Sequence, residues 1–287
     1  MKKVFLSVVI PLYNSEKTLN ESIGSVAAEI GKLYSDEKNV KQFSLENTVS
    51  EIILCDDGSF DKTSILCDQL AEKINSEKKE IEVKVMHLKN GGVASARNIG
   101  MKYSRGEVIA FNDSDDRWLC GTLVKRLTLL KNENAELITA NHEIESQRVK
   151  KLLPTSFPNL YIVKTENELF KNYYTVQNSI ISRKIIDDGI FFKDGMRYAE
   201  EMYFFFQVLQ KYKCLFLNEK MSESVLHKER FGQSGLSGNL KAMEKGELTS
   251  LSLTYKELKM PFAKYVTACV YSILKYFRRV LICSIRK

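Results

Sequence analysis

Proline is scarce, four in 287 residues, and no stretch is of low complexity, which argues against a disordered linker. The three histidines, His87, His142 and His227, lie far apart. The six cysteines, Cys55, Cys67, Cys120, Cys214, Cys269 and Cys283, show none of the close spacings of a zinc site. Their scatter points to a reduced compartment, although an even count leaves a disulfide set open. No internal repeat is visible, and no apolar run reaches the roughly 20 residues of a membrane span. Met1-Lys2-Lys3 before the apolar residues 4–10 has the look of a secretory leader, with Ser25-Val26-Ala27 as a cleavage site. The run stops at Pro11, however, and the polar Asn14-Ser15-Glu16-Lys17 follows, so a first strand and a cytoplasmic protein are expected.

The composition that remains, 44% hydrophobic and 28% charged, is that of an ordinary globular protein, long enough for one large domain with an appendage. Its charge is unevenly placed. Residues 259–287 hold Lys259, Lys264, Lys275, Arg278, Arg279, Arg286 and Lys287 and no acid, which equals the whole formal net charge of +7. Such a tail suits nucleic acid or an anionic membrane. No aromatic-basic recognition motif accompanies it, so nucleic acid is not expected. Residues 260–287 read either as an amphipathic helix packed on the body or as a peripheral membrane helix at the inner face of the cell membrane. Three charges in mid-segment exclude a span.

Up to residue 140 the chain alternates short β-branched apolar runs (5–10, 51–55, 82–87, 107–111 and 136–140) with helix-like segments (16–33, 61–75, 92–103 and 119–132). Continuous apolar strands between helices imply βαβ units and a parallel sheet covered on both faces. Residues 34–42 read as a polar surface insertion, loop or helix extension. Residues 178–182 read as a further strand and residues 200–209 as a mostly buried helix opened by Glu200 and Glu201, whose charges suit a helix N-terminus.

Ligands of such sheets bind at the carboxyl ends of the strands. After the first strand stands Pro11-Leu12-Tyr13-Asn14, after the second Asp56-Asp57-Gly58-Ser59, and after the fourth Asp113-Ser114-Asp115-Asp116. Three carboxylates in four positions repel one another unless a cation compensates, and a divalent ion shared with a diphosphate would do so. A solvated acidic turn is the alternative for that cluster alone, but all three motifs fall on one rim.

These motifs, together with Val8-Val9-Ile10 before Pro11 and Asn90-Gly91-Gly92-Val93-Ala94-Ser95-Ala96-Arg97-Asn98-Ile99-Gly100, occur in the order and at the spacing of family 2 glycosyltransferases. The chain resembles that inverting, bacterial polysaccharide-type family over residues 4–235. The resemblance implies a GT-A fold with a Rossmann-like, mostly parallel sheet. A catalytic domain would cover residues 1–235, with residues 1–118 binding the nucleotide-sugar and residues 119–235 the acceptor, and a helical extension would cover residues 236–287. Pro11 and Tyr13 would line base and ribose, and Asp57 would accept from the base imide, which suits a UDP-sugar. Arg97, Asn98 and Ser114 would sit beside the nucleotide-sugar. Asp113 and Asp115 would hold Mn²⁺ or Mg²⁺, with Asp115 the direct ligand. Asp116 would touch the sugar or cap the next helix.

The family's catalytic carboxylate is usually the Asp of a Glu-Asp pair. Here the pair is Glu200-Glu201, so Glu201 takes the base position with an extra methylene. His227-Lys228-Glu229-Arg230 and Ser234-Gly235-Leu236-Ser237 stand where the family carries a basic, serine-containing loop. His227 there is either near the diphosphate or a plain surface residue.

The implied activity is single-step transfer of a hexosyl or N-acetylhexosaminyl unit to a glycan or lipid-linked acceptor. The processive signature Gln-x-x-Arg-Trp is missing. A degenerate nucleotide-sugar-binding protein of the same fold is the alternative. A nucleotidyltransferase would need a glycine- and arginine-rich loop where Pro11-Leu12-Tyr13-Asn14 stands.

Overall fold

The computed structural model of the chain describes residues 2–226 and 239–285, so the His227 to Ser237 loop reading lies outside the described residues. The first half runs β1 (Lys3–Leu12), α1 (Leu19–Ser35), α2 (Glu37–Phe43), β2 (Thr48–Asp56), α3 (Thr63–Glu77), β3 (Ile81–His87), α4 (Val93–Tyr103), β4 (Val108–Phe111), β5 (Asp116–Trp118), α5 (Thr122–Asn132) and β6 (Leu137–His142). The second half adds β7 (Leu153–Pro154), β8 (Leu160–Ile162), α6 (Thr165–Glu168), β9 (Ile180–Ser182), α7 (Arg183–Asp187), α8 (Glu200–Lys211), β10 (Cys214–Ser224), α9 (Leu240–Glu257) and α10 (Phe262–Ile285).

One sheet joins these strands in the order β3-β2-β1-β4-β9-β6-β10-β8-β7, with β5 on β10. Strands β1, β2, β3, β4, β6 and β10 point one way, and β9 runs against its neighbours β4 and β6. The chain therefore builds outward from β1 to β3, then returns to place β4 on the other side of β1. That reversal opens a crevice at the carboxyl ends of β1 and β4.

The alternation within the strands explains why the carboxyl-terminal halves of β1 and β2 are apolar on successive positions. Val8, Ile10, Ile52, Leu54 and Ala110 face a core layer shared with α1, α3 and α5. Val9, Ile53, Cys55, Ile109 and Phe111 face the opposite layer under α4 and α8. Gly100 lets α4 lie against the sheet: a Cβ there would collide with Val9 Cγ1 and stand 3.0 Å from Cys55 Sγ. A third cluster, including Met202, Phe206, Leu251, Met260 and Ala268, seats α9 and α10 on α8.

Residues 3–12 are the expected first strand. The 34–42 insertion is helical: Asp36 caps α2 by accepting from Lys38 N at 2.9 Å, and Phe43 is buried. All six cysteines are free thiols. Among the described residues no helix is long and apolar enough to cross a membrane.

Candidate active site

The rim loops are stitched together by short polar side chains before any ligand is considered. Asn14 N donates to Ser59 Oγ at 3.0 Å, Phe60 N to Asn14 Oδ1 at 3.0 Å, and Ser15 N to Thr63 Oγ1 at 2.7 Å. Ser15 and Ser114 share a hydroxyl hydrogen bond at 2.7 Å, tying the loop after β1 to the loop after β4. Ser22 Oγ of α1 donates to Asp113 O at 2.9 Å, and Asn112 Nδ2 donates to Ser22 Oγ and Asp116 O. These bonds fix the conformation of the acidic turn, whose Asp113, Ser114 and Asp115 stay partly exposed.

The two aspartates at the carboxyl end of β2 divide their work. Asp56, buried, accepts from Ser59 N and Ser64 Oγ and meets His87 Nδ1 at 3.3 Å. Burial pushes its carboxyl up, but those hydrogen bonds outweigh it and leave it below the usual range. Asp57 accepts from Gly91 N and Gly92 N, both at 2.8 Å, and so fixes the entry to α4. Its oxygens keep lone pairs beyond those two bonds, so an imide donor can still be met.

Around these loops lies a cavity of about 560 Å³, lined by Pro11, Tyr13, Asp57, Asn90, Arg97, Asp113, Ser114, Asp115, Arg197 and Glu200 among others. Arg97 is the buried centre of its charge. Nη2 donates to Asp113 Oδ1 at 2.7 Å and Nη1 to Glu200 Oε1 at 3.1 Å. Burial works against the guanidinium charge, and the two carboxylates more than compensate, so its pKa is raised.

Not every residue expected here lines the cavity. Asn98 turns away: Nδ2 donates to Phe192 O and Asp194 Oδ1, both at 2.9 Å, and Oδ1 accepts from Phe192 N at 3.0 Å. It holds the loop before α8. Asp116 is not among the residues that line the cavity. It lies in β5, buried, with Oδ1 3.5 Å from His142 Nε2. The N-terminus of α5 is capped instead by Glu29 of α1, which accepts from Gly121 N at 2.9 Å and Leu123 N at 3.0 Å.

Glu200 and Glu201 open α8 directly after Ala199, whose φ of 53° puts a non-glycine residue in the left-handed region. Ser250 Oγ of α9 holds that turn by donating to Ala199 O at 2.5 Å. Glu200 faces the large cavity. Both acids line a second, smaller one of about 270 Å³ with Asn172, Arg197, Glu247 and Arg279. Shielding from water and then the Glu200 charge push the Glu201 carboxyl above its ordinary range.

Three residues at or next to the cavities escape the sequence. Phe60, 82% exposed, stands edge-on to Tyr13 at 6.0 Å between ring centroids; its place next to the Asp56-Asp57-Gly58-Ser59 turn is the available signal. Arg197 lines both cavities and carries no motif. Glu200 lines the large cavity, although the family pattern points only to its neighbour.

Fold and rim define a GT-A protein: a mostly parallel sheet whose switch-point crevice carries an Asp-Ser-Asp turn opposite a helix opened by carboxylates. The chain belongs to glycosyl transferase family 2, whose model matches residues 7–212. It is 26% identical over 270 residues to an uncharacterized glycosyltransferase of Haemophilus influenzae, covering 93% of this chain and 94% of that protein. It is 28% identical over 145 residues to UDP-Glc:alpha-D-GlcNAc-diphosphoundecaprenol beta-1,3-glucosyltransferase WfgD of Escherichia coli, covering 50% of this chain and 48% of that protein. The crystal structure of S. aureus TarS 1–349 in complex with UDP-GlcNAc superposes with a TM-score of 0.64 at 18% identity, covering 96% of this chain and 73% of that one. Of WfgD and of the Bacillus subtilis relatives EpsJ and GgaA, by contrast, the chain spans about half the length or less.

Proposed function

We propose that this chain transfers a sugar from a UDP-sugar to an acceptor hydroxyl, with inversion, in the synthesis of a bacterial surface glycan. The observation that carries the reading is the Arg97 bridge. It holds a carboxylate of the acidic turn, Asp113, and a carboxylate of the α8 opening, Glu200, on one guanidinium at the large cavity. In this reading the large cavity takes the nucleotide-sugar. Pro11, Tyr13 and Phe60 bracket the base and ribose, and Asp57 accepts from the uracil imide.

The donor set fits a divalent cation. Asp113 and Asp115 line the cavity with oxygen ligands only, and among the described residues no group of three or more acidic, histidine or cysteine side chains forms a closed metal cage. Mg²⁺ and Mn²⁺ suit such a site because they complete their sphere with diphosphate oxygens and water. When bound there, the cation supplies Lewis-acid stabilisation to the departing UDP. Arg97 orients Asp113 and adds a fixed positive charge nearby.

The smaller cavity takes the acceptor, a glycan or lipid-linked sugar. Glu201 removes the proton from its hydroxyl as that oxygen attacks the anomeric carbon, and help of this kind is worth about 10²–10⁴-fold. Its raised pKa suits a base working near neutrality. A single displacement without an enzyme nucleophile inverts the configuration. The transferred sugar in this reading is a hexosyl or N-acetylhexosaminyl unit.

A thermal-shift panel of nucleotide-sugars, each with and without Mn²⁺, tests the donor assignment. UDP-sugars are expected to stabilise the protein more than GDP- or CMP-sugars, and equal shifts would remove the Asp57 assignment. Release of UDP in the presence of candidate acceptors separates an enzyme from a degenerate nucleotide-sugar binder. Binding without turnover across a broad acceptor panel would favour the binder.

A further inference from the structure

Helix α10 presents two unlike faces. Its inner face packs Ala268 into the apolar cluster with α8 and α9 and is polar and paired beyond it: Ser272 Oγ stands within hydrogen-bond distance of Glu244 and Glu247, while Lys275 Nζ at 2.9 Å and Arg279 Nη1 at 2.7 Å meet the two oxygens of Glu247 on α9. Its outer face carries Phe262, Val266, Val270, Leu274, Phe277 and Leu281, spaced by three or four residues. The largest of these are 62–64% exposed: Phe262 64%, Leu274 62%, Phe277 63% and Leu281 63%. At 100° and 1.5 Å per residue this is one stripe, roughly 120° wide and about 28 Å long. Isolated apolar residues on a surface mean little, but a continuous stripe of this length marks something that covers it.

We propose that this stripe docks on an anionic lipid surface, with α10 lying in the plane of the interface. Charge selects the occupant. The helix has no acid, and the exposed cation Arg278 flanks the stripe, about 40° beyond Leu274 by helix geometry, while Lys264 lies farther round and is paired with Glu166 Oε1 at 3.0 Å. The whole formal net charge of the protein resides in residues 259–287. Apolar insertion beside cations is the chemistry that anionic headgroups over acyl chains satisfy. A second copy of the chain would instead bring two acid-free, cationic helices together. The same helix then links the surface to the chemistry. Its Arg279 lines the smaller cavity beside Glu201, and α9, to which it is paired, holds the Ala199 turn. A lipid-linked acceptor would be met with its sugar next to the two glutamates. That purpose rests on the glycosyltransferase reading; the docking does not.

The test is co-flotation of the full chain with vesicles of phosphatidylcholine alone and mixed with phosphatidylglycerol. Binding to the mixed vesicles is expected, with weaker binding to the neutral ones and a decline as salt is raised. Leu274→Glu with Phe277→Glu should lower partitioning about a hundredfold, and Arg278→Gln about fivefold on mixed vesicles only. Stabilisation by UDP-sugars should be unchanged in all of these, since the residues are exposed and none of them lines the large cavity. Failure to bind mixed vesicles, equal salt-insensitive binding to both lipids, or a double variant that binds like the parent would overturn the proposal. A dimer that the double substitution dissociates, without vesicle binding, would also overturn it and give the stripe to a second copy. Vesicle binding that persists while no nucleotide-sugar binds supports the docking and counts against the enzyme alone.

Discussion

Arg97 Nη1 lies 3.1 Å from Glu200 Oε1, joining the helix that follows the glycine pair to the helix that carries the candidate base. The same guanidinium reaches Asp113 at 2.7 Å. Removing it leaves two carboxylates at a buried point with no cation between them. Arg97→Met is therefore expected to cost about 3 kcal/mol of stability, measured by urea denaturation, and to abolish Mn²⁺-dependent stabilisation by UDP-sugars. Arg97→Lys keeps the charge but not the two-armed geometry, so it should fall between the parent and Arg97→Met. Parent-like stability in Arg97→Met would show that the bridge is incidental.

Asp115→Asn tests the metal reading with little change of shape. Its expected outcome is a loss of the thermal shift that Mn²⁺ adds to a UDP-sugar, and a kcat lower by at least about a hundredfold. An unchanged metal-dependent shift would remove Asp115 from the ligand set.

Glu201 and Glu200 should separate by pH profile. Burial and the Glu200 charge hold the Glu201 carboxyl above its ordinary range, so kcat should rise with pH as that group ionises. In Glu200→Gln the neighbouring negative charge is gone, and the rise should move to lower pH. Glu201→Gln should lose about 10²–10⁴-fold in kcat and the rise with it. Linkage gives a second readout. A carboxyl that binds its proton more tightly folded than unfolded favours the folded state at low pH. That contribution is lost as pH rises from the unfolded-state pKa through the raised one. Glu201→Gln should flatten this portion of the stability profile; a Glu201→Gln enzyme with parental kcat would move the base elsewhere.

Asn98 offers a contrast between the family expectation and the geometry. Three hydrogen bonds to Phe192 and Asp194 make it a brace for the loop before α8. Asn98→Ala should lower stability by about 1–3 kcal/mol, the cost of orphaning buried backbone groups, while donor affinity changes little. A large loss of UDP-sugar affinity at parental stability would restore its place beside the ligand.

Gly100→Ala should disturb the site at a distance. The added methyl meets Val9 Cγ1 and Cys55 Sγ under α4, both in a buried layer. A cost of about 1–3 kcal/mol follows from overpacking, together with a weaker donor complex because α4 carries Arg97. Donor binding at parental strength would mean that α4 shifts without moving its arginine.

The central strands and the rim motifs could be read from residue order because both are local. A strand covered on both faces is apolar at nearly every position, as in residues 8–12, and a turn at its carboxyl end shows its Asp, Asn, Gly and Ser residues directly. Family 2 membership and the GT-A fold followed from four such motifs in order. The contacts between distant segments were not available in that way. Nothing near Asp116 shows that Glu29 caps α5 in its place, and nothing near Arg97 shows that it faces Glu200, because each partner arrives with a helix packed from far along the chain. The tail illustrates the same division. Its basic, apolar composition was plain, yet whether Lys275 and Arg279 face solvent or Glu247, and hence which face of α10 stays bare, depended on how α9 packs beneath it.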